Sequence, residues 1–254
     1  MYLLNTLKNM KRRYFSFSEV KSRSRKPDGE GFYRLYFFAS KFSPYLSWVF
    51  VNSGVSANQV TGLFFVVGAL SVCSFLSYDA TSAFVGVLLW RLHIVLDISD
   101  GEVARFTNKF SILGAYWDYM IPATIFPFCM LAIGFALFQN FNQPKFLLLA
   151  SIGAIGYGLQ MAVKNNYYRA CKAPENSEDE PRIKNSKKGY GIRDLILYLT
   201  SFDAFLLCYL IAMVLEMNET FFFLILGAFI SFSYISSVLK FYLLSRYGQY
   251  KARV

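Results

Sequence analysis

Six stretches of this chain are apolar over about twenty residues each, and nothing else in the sequence constrains its fold so strongly. They cover residues 55–77, 81–104, 112–138, 145–167, 192–216 and 220–244. Segments of that length and composition match the hydrocarbon core of a bilayer. There, every backbone N–H and C=O must find its partner within the protein, so a single-chain span of this kind has to be a helix. The chain is therefore expected to be all-α, a polytopic membrane protein with six transmembrane helices. Of 254 residues, 55% are hydrophobic and 19% aromatic while only 17% are charged, a balance that excludes an ordinary soluble domain.

Ahead of the spans, residues 30–53 (EGFYRLYFFASKFSPYLSWVFVNS) mix aromatic and basic side chains at helical spacing. This predicts an amphipathic surface helix, interrupted near Pro44. The chain then divides into a basic N-terminal segment (1–29), the amphipathic helix (30–53), a six-helix domain (54–246) and a short tail (247–254). Residues 1–30 are basic and broken, without the continuous apolar core of a cleavable signal peptide. Lysines and arginines gather before the first span, after the second, between the fourth and fifth, and after the sixth. The opposite loops hold only Lys145. By the positive-inside bias both termini are cytoplasmic. The net charge of +10 is then mainly a property of one membrane face, suited to anionic head groups and phosphates and no argument for nucleic acid. The four cysteines are scattered without metal-ligand spacing, and the three in apolar runs (Cys73, Cys129 and Cys208) read as buried, reduced thiols.

Against this apolar background, LDISDGEVARFTNKFSILGAYWDYMIP (96–122) carries three aspartates toward the cytoplasmic ends of the second and third spans. Asp97 and Asp100 are three residues apart and share a helix face, and Asp118 stands on the next, antiparallel helix. Three carboxylates converging in a partly dehydrated site repel one another unless a cation neutralises them. Oxygen-only ligands favour a hard divalent ion, Mg²⁺ or Mn²⁺. Gly101, Ala104 and Gly114 are interleaved with the acids and let a ligand come close to the backbone, and Arg105 adds a positive fork suited to phosphate. Intramembrane acids are functional candidates by default.

The same residues carry a resemblance. DISDGEVARFTNKFSILGAYWD is similar to the Dx2DGx2ARx8Gx3D signature of the CDP-alcohol phosphotransferase (CDP-alcohol phosphatidyltransferase) family, with Asp97, Asp100, Gly101, Ala104, Arg105, Gly114 and Asp118 at the fixed positions. VSANQVT (55–61) resembles the family's Pro-Asn-x-x-Thr element, with Ala57 in place of the proline and Asn58 and Thr61 retained. The resemblance extends over about residues 30–244. It implies transfer of a phospho-alcohol group from a CDP-alcohol donor to an acceptor at the cytoplasmic face, with release of CMP. In that scheme Asp97, Asp100 and Asp118 bind metal, and Asn58, Thr61, Gly101, Ala104, Arg105 and Gly114 shape the nucleotide site. The acceptor would be a lipid, a polyprenyl phosphate or a polar phosphate, with Lys164 and Arg193 as candidate ligands for it. The resemblance also implies a homodimer, and a bacterial inner (plasma) membrane is the expected setting.

One departure stands out. The family signature continues to a fourth aspartate, the usual general base, and this chain has Pro122 there. Proline cannot accept a proton or bind metal, and it removes a backbone donor inside the third helix, which should bend it. Three readings stay open. His93, the only histidine, four residues before Asp97, is the base. Or the acceptor is a phosphate monoester, already ionised at neutral pH. Or the protein binds CDP compounds without catalysis. A small membrane transporter is the rival from another class. It would predict two related halves with broken helices, and no such internal symmetry is visible.

Overall fold

A computed structural model describes residues 14–25, 37–171 and 201–251. The described residues form α1 (Phe17–Ser24), α2 (Phe37–Ser53), α3 (Ala57–Ser74), α4 (Ala80–Thr107), α5 (Ile112–Phe141), α6 (Lys145–Cys171), α7 (Phe202–Val214) and α8 (Glu219–Lys251). Five of them, α3 to α6 and α8, contain stretches long and apolar enough to cross a membrane. The fifth expected span is seen only as α7, a shorter apolar helix, because residues 192–200 lie outside the described residues. The protein is an all-helical, polytopic membrane protein.

Polar side chains mark where the helices begin. Ser56 and Gln59 form a reciprocal capping box on α3: the Ser56 backbone N–H donates to Gln59 Oε1 at 2.9 Å, and Gln59 N–H donates to Ser56 Oγ at 3.4 Å. Ala57 can therefore stand where a helix-starting proline would otherwise fit. Asp79 caps α4 by accepting the Ser82 N–H at 2.7 Å, and the Ser82 bonds hold its carboxyl below the usual carboxylate range. Ser16 does the same for α1, through Glu19 N–H, and Ser201 for α7, through Ala204 N–H. Asn108 and Asn142 take left-handed backbone just past α4 and α5, a conformation that asparagine tolerates.

The chain folds as two compact units. The first comprises residues 1–66 and 91–118, the second residues 67–90 and 119–254. In the first, α2 packs on α4 through Ala39, Leu46, Ile94, Val95 and Ile98. α2 is amphipathic, but its apolar side is the outer one: Phe38, Phe42, Tyr45 and Val49 are exposed, while Ser40, Ser43 and Ser47 are buried. The helix also runs unbroken through Pro44, against the expected interruption. Proline leaves the carbonyl four residues earlier without its helical donor. That carbonyl belongs to Ser40, and Arg25 Nη2 donates to it at 3.4 Å.

In the second unit α5 continues through both Pro122 and Pro127. Trp90, Phe126, Tyr157, Phe202, Phe205 and Phe229 form a chain of ring contacts with centroids 4.5–5.7 Å apart. Lys145 pairs with Glu219. Of the cysteines expected to be buried, Cys129 is, whereas Cys73 and Cys208 are exposed. An outward thiol in a span meets lipid instead of water, so its apolar character does not require burial.

α5 and α6 approach closely at Gly134. A Cβ there would overlap the Ala150 methyl and come within 3.0 Å of the Phe146 carbonyl. Small residues allow helices in membranes to meet in this way. Gly134→Ala is expected to destabilise the protein by about 1–3 kcal/mol through overpacking, seen as a lower melting temperature in detergent. A variant as stable as the parent would show that the contact has slack.

Candidate functional site

Every residue of the expected metal and nucleotide sites falls in the first compact unit, on α3, α4 and the first turns of α5. The capping box fixes where α3 starts, so Asn58 lies in its first turn and Thr61 one turn further on. Thr61 Oγ1 donates to Asp100 Oδ2 at 2.7 Å, both residues being buried. A carboxylate out of water needs such a donor, because an unpartnered one costs several kcal/mol. Asp97 lies one turn earlier on α4, half-buried, and Asp118 is exposed near the start of α5. Asp118 and Asp100 are near enough to repel each other, while Arg105 attracts Asp100.

The two glycines of the motif have distinct tasks. A Cβ on Gly101 would stand 3.1 Å from Arg105 Nη1, so the bare glycine lets the guanidinium fold back over α4. A Cβ on Gly114 would lie 3.0 Å from Ser111 Oγ and 3.1 Å from Asn58 Oδ1. Ser111 joins these elements. Its hydroxyl accepts the Gly114 N–H at 2.9 Å, capping α5, and donates to Asn58 Oδ1 at 2.9 Å, tying α3 to α5. Ala104 is half-buried on the same helix as Gly101.

His93 is 1% exposed, its Nδ1 2.8 Å from the Phe64 carbonyl and its ring 4.9 Å from that of Phe64. With Nδ1 as the donor, the neutral ring keeps Nε2 as its acceptor. Arg193 and the side chain of Lys164 lie outside the described residues.

Three contributors are absent from the motif itself. Ser111 lies between the expected second and third spans. Glu102 is fully buried and accepts from Ser43 Oγ at 3.1 Å and Ser47 Oγ at 2.7 Å, joining α2 to α4. Ser24, at the end of α1, accepts from Arg105 Nε at 2.5 Å through its backbone carbonyl. The serine spacing of α2 (40, 43, 47) was the available signal for Glu102, since three small hydroxyls on one helical face imply a polar partner opposite. No signal in the sequence reveals a backbone acceptor such as Ser24.

The donor chemistry at Asp97, Asp100 and Asp118, carboxylate oxygens alone, suits a hard divalent cation. As folded, the side chains are not drawn into a coordination shell: among the described residues no three His, Cys, Asp or Glu are grouped to hold a metal ion. Asp100 is turned to Thr61 and Asp118 stands outward. Thr61→Val, which keeps the shape and removes the hydroxyl, is expected to leave Asp100 short of a donor and to lower stability by about 1–3 kcal/mol, measured by thermal unfolding. No loss would mean that Asp100 finds an equivalent partner.

The comparison with curated proteins gives no match. The family model described as CDP-alcohol phosphatidyltransferase matches residues 55–185, more than half of the chain, and takes in every site residue on α3, α4 and α5. That family comprises transferases of substituted phosphate groups and uses divalent metals. With its motif residues gathered in one compact unit and its helices suited to a membrane, the chain belongs to the CDP-alcohol phosphatidyltransferase family.

Proposed function

We propose that the protein transfers a phospho-alcohol group from a CDP-alcohol to a phosphate-bearing acceptor at the cytoplasmic face of the membrane, releasing CMP. The observation that carries this reading is the gathering of Asp97, Asp100 and Asp118 with Thr61, Asn58, Gly101 and Gly114 in one compact unit. Asp97, Asp100 and Asp118 would hold Mg²⁺ or Mn²⁺, which when bound neutralises the diphosphate and polarises its phosphorus. Thr61 keeps Asp100 in place. Asn58, oriented by Ser111, and the open backbone at Gly101 and Gly114 receive the nucleotide, and Arg105 offers its fork to a phosphate oxygen. An acceptor oxygen then attacks the phosphorus that bears the alcohol, the bond to the bridging oxygen breaks, and CMP leaves with that electron pair. The protein's part is mainly to position an in-line attack.

The acceptor class follows from protons. A hydroxyl must lose one, and Pro122 occupies the position of the expected base. His93 is the other candidate, but its burial and its bond to Phe64 suit a tie between α3 and α4 better than a proton acceptor for a substrate. A phosphate monoester carries an ionised oxygen at neutral pH and needs no base. The cytoplasmic placement of both termini rests on the positive-inside bias, and Lys164 and Arg193 on that face would bind the acceptor phosphate. The homodimer and the bacterial inner membrane rest on the family resemblance alone.

Purified protein should gain thermal stability from CDP with Mg²⁺ or Mn²⁺, and Asp97→Ala should abolish the gain. Followed by ³¹P resonance, CMP release should require a phosphate acceptor. Turnover of hydroxyl acceptors alone, lost in His93→Ala, would overturn the acceptor class and restore His93 as base. CDP binding with no CMP release from any pair, and turnover of hydroxyl acceptors gained in Pro122→Asp, would point to a relative that binds without catalysing. No CDP binding at all would overturn the reading itself.

A further inference from the structure

The catalytic motif lies on α3 to α5, yet the side chain of Arg105 is held from outside them. α1 is a short helix ahead of the membrane spans. Its last carbonyls lack intrahelical donors and carry the negative end of the helix dipole, so they attract a guanidinium. Arg105 Nε donates to the last of them, Ser24 O, at 2.5 Å. With Nε engaged there and Nη1 folded over Gly101, the guanidinium is fixed in direction.

The far end of the segment is anchored in turn. Trp48 Nε1 and Asn52 Nδ2 donate to the Phe15 carbonyl at 3.0 and 3.2 Å, and Phe15 N–H donates to Asn52 Oδ1 at 2.8 Å. The Phe15 ring meets that of Phe106, next to Arg105, with centroids 4.9 Å apart, and the Arg23 guanidinium lies 4.6 Å over the Phe106 ring. Arg25, just past α1, donates to Ser40 O on α2. The Ser24 hydroxyl is fully buried, with no hydrogen-bond partner among the described residues, and such an orphan calls for a water or a ligand oxygen.

From this geometry we propose that residues 15–25 form a clasp that positions Arg105 for a phosphate of the donor, so that part of the site's affinity is set by a segment outside the motif. The clasp residues are positioning residues, not catalytic ones. The inference rests on the reading of Arg105 as a phosphate ligand.

The test uses the full chain in detergent, with CDP and Mg²⁺ as the probe. Trp48→Phe combined with Asn52→Ala releases the Phe15 end while leaving the motif intact. The CDP Kd and the donor KM should rise about tenfold, with kcat at saturating donor falling less than about threefold. Combined with Arg105→Ala, the clasp variant should add no further loss, because both changes act through one guanidinium. To separate the effect from folding, a protease site placed among residues 26–30 and cut after purification should give the same rise in Kd. Unchanged Kd in both forms, or losses that add fully to that of Arg105→Ala, would overturn the clasp while wild-type CDP binding leaves the transfer reading standing. If the wild type binds no CDP, the reading fails and the clasp with it.

Discussion

A buried carboxylate, Glu102, ties the first compact unit together. Taken out of water alone, it would cost several kcal/mol. Two serine hydroxyls on α2 donate to it, and Arg105 and Arg25 add their attraction. Satisfying Glu102 requires α2 to lie with its serine face against α4, and the apolar contacts of Ala39 and Leu46 with Ile94, Val95 and Ile98 fit the same docking. α4 is the helix that carries Asp97, Asp100 and Arg105. The seam that fastens α2 therefore also fixes the surroundings of the site helix. It explains why α2 is apolar outside and polar inside, a pattern suited to a helix lying between protein and lipid.

Much of this was legible in the sequence. Long apolar runs with little charge allow few folds besides membrane helices, because hydrocarbon offers no hydrogen bonds. The expected starts at 112 and 145 agree with α5 and α6, where Ser111 and Pro144 precede the helices. The motif spacing put Asp97, Asp100, Arg105, Gly114 and Asp118 on two neighbouring helices, and the structure brings these with Asn58 and Thr61 into one compact unit.

What the sequence concealed depends on contacts between distant residues. Ser111 reads as a loop residue, and its bond to Asn58, 53 positions away, appears only once α3 and α5 are side by side. Glu102 sits at a variable position of the motif and resembles the exposed polar residues that end many helices. The helix in the basic N-terminal segment was not foreseen either. Its eight residues are too few to be stable alone, and it persists through packing: Trp48 and Asn52 hold Phe15, and the Phe17 and Tyr45 rings stack at 4.7 Å.

Pro44 and Pro122, two of the three prolines inside the described helices, show how one local rule yields different consequences. Pro44 and Pro122 both deprive the carbonyl four residues back of its helical donor, and neither ends its helix. For Pro44 the carbonyl is that of Ser40, and Arg25 answers it, which draws the N-terminal segment onto α2. For Pro122 the carbonyl is that of Asp118, a motif residue. The substitution therefore does more than delete an acid. It removes a proton acceptor and a backbone donor from the same position of α5. A chain with proline there keeps α5 continuous while giving up a carboxylate, so the change alters the chemistry of the position and not the course of the helix.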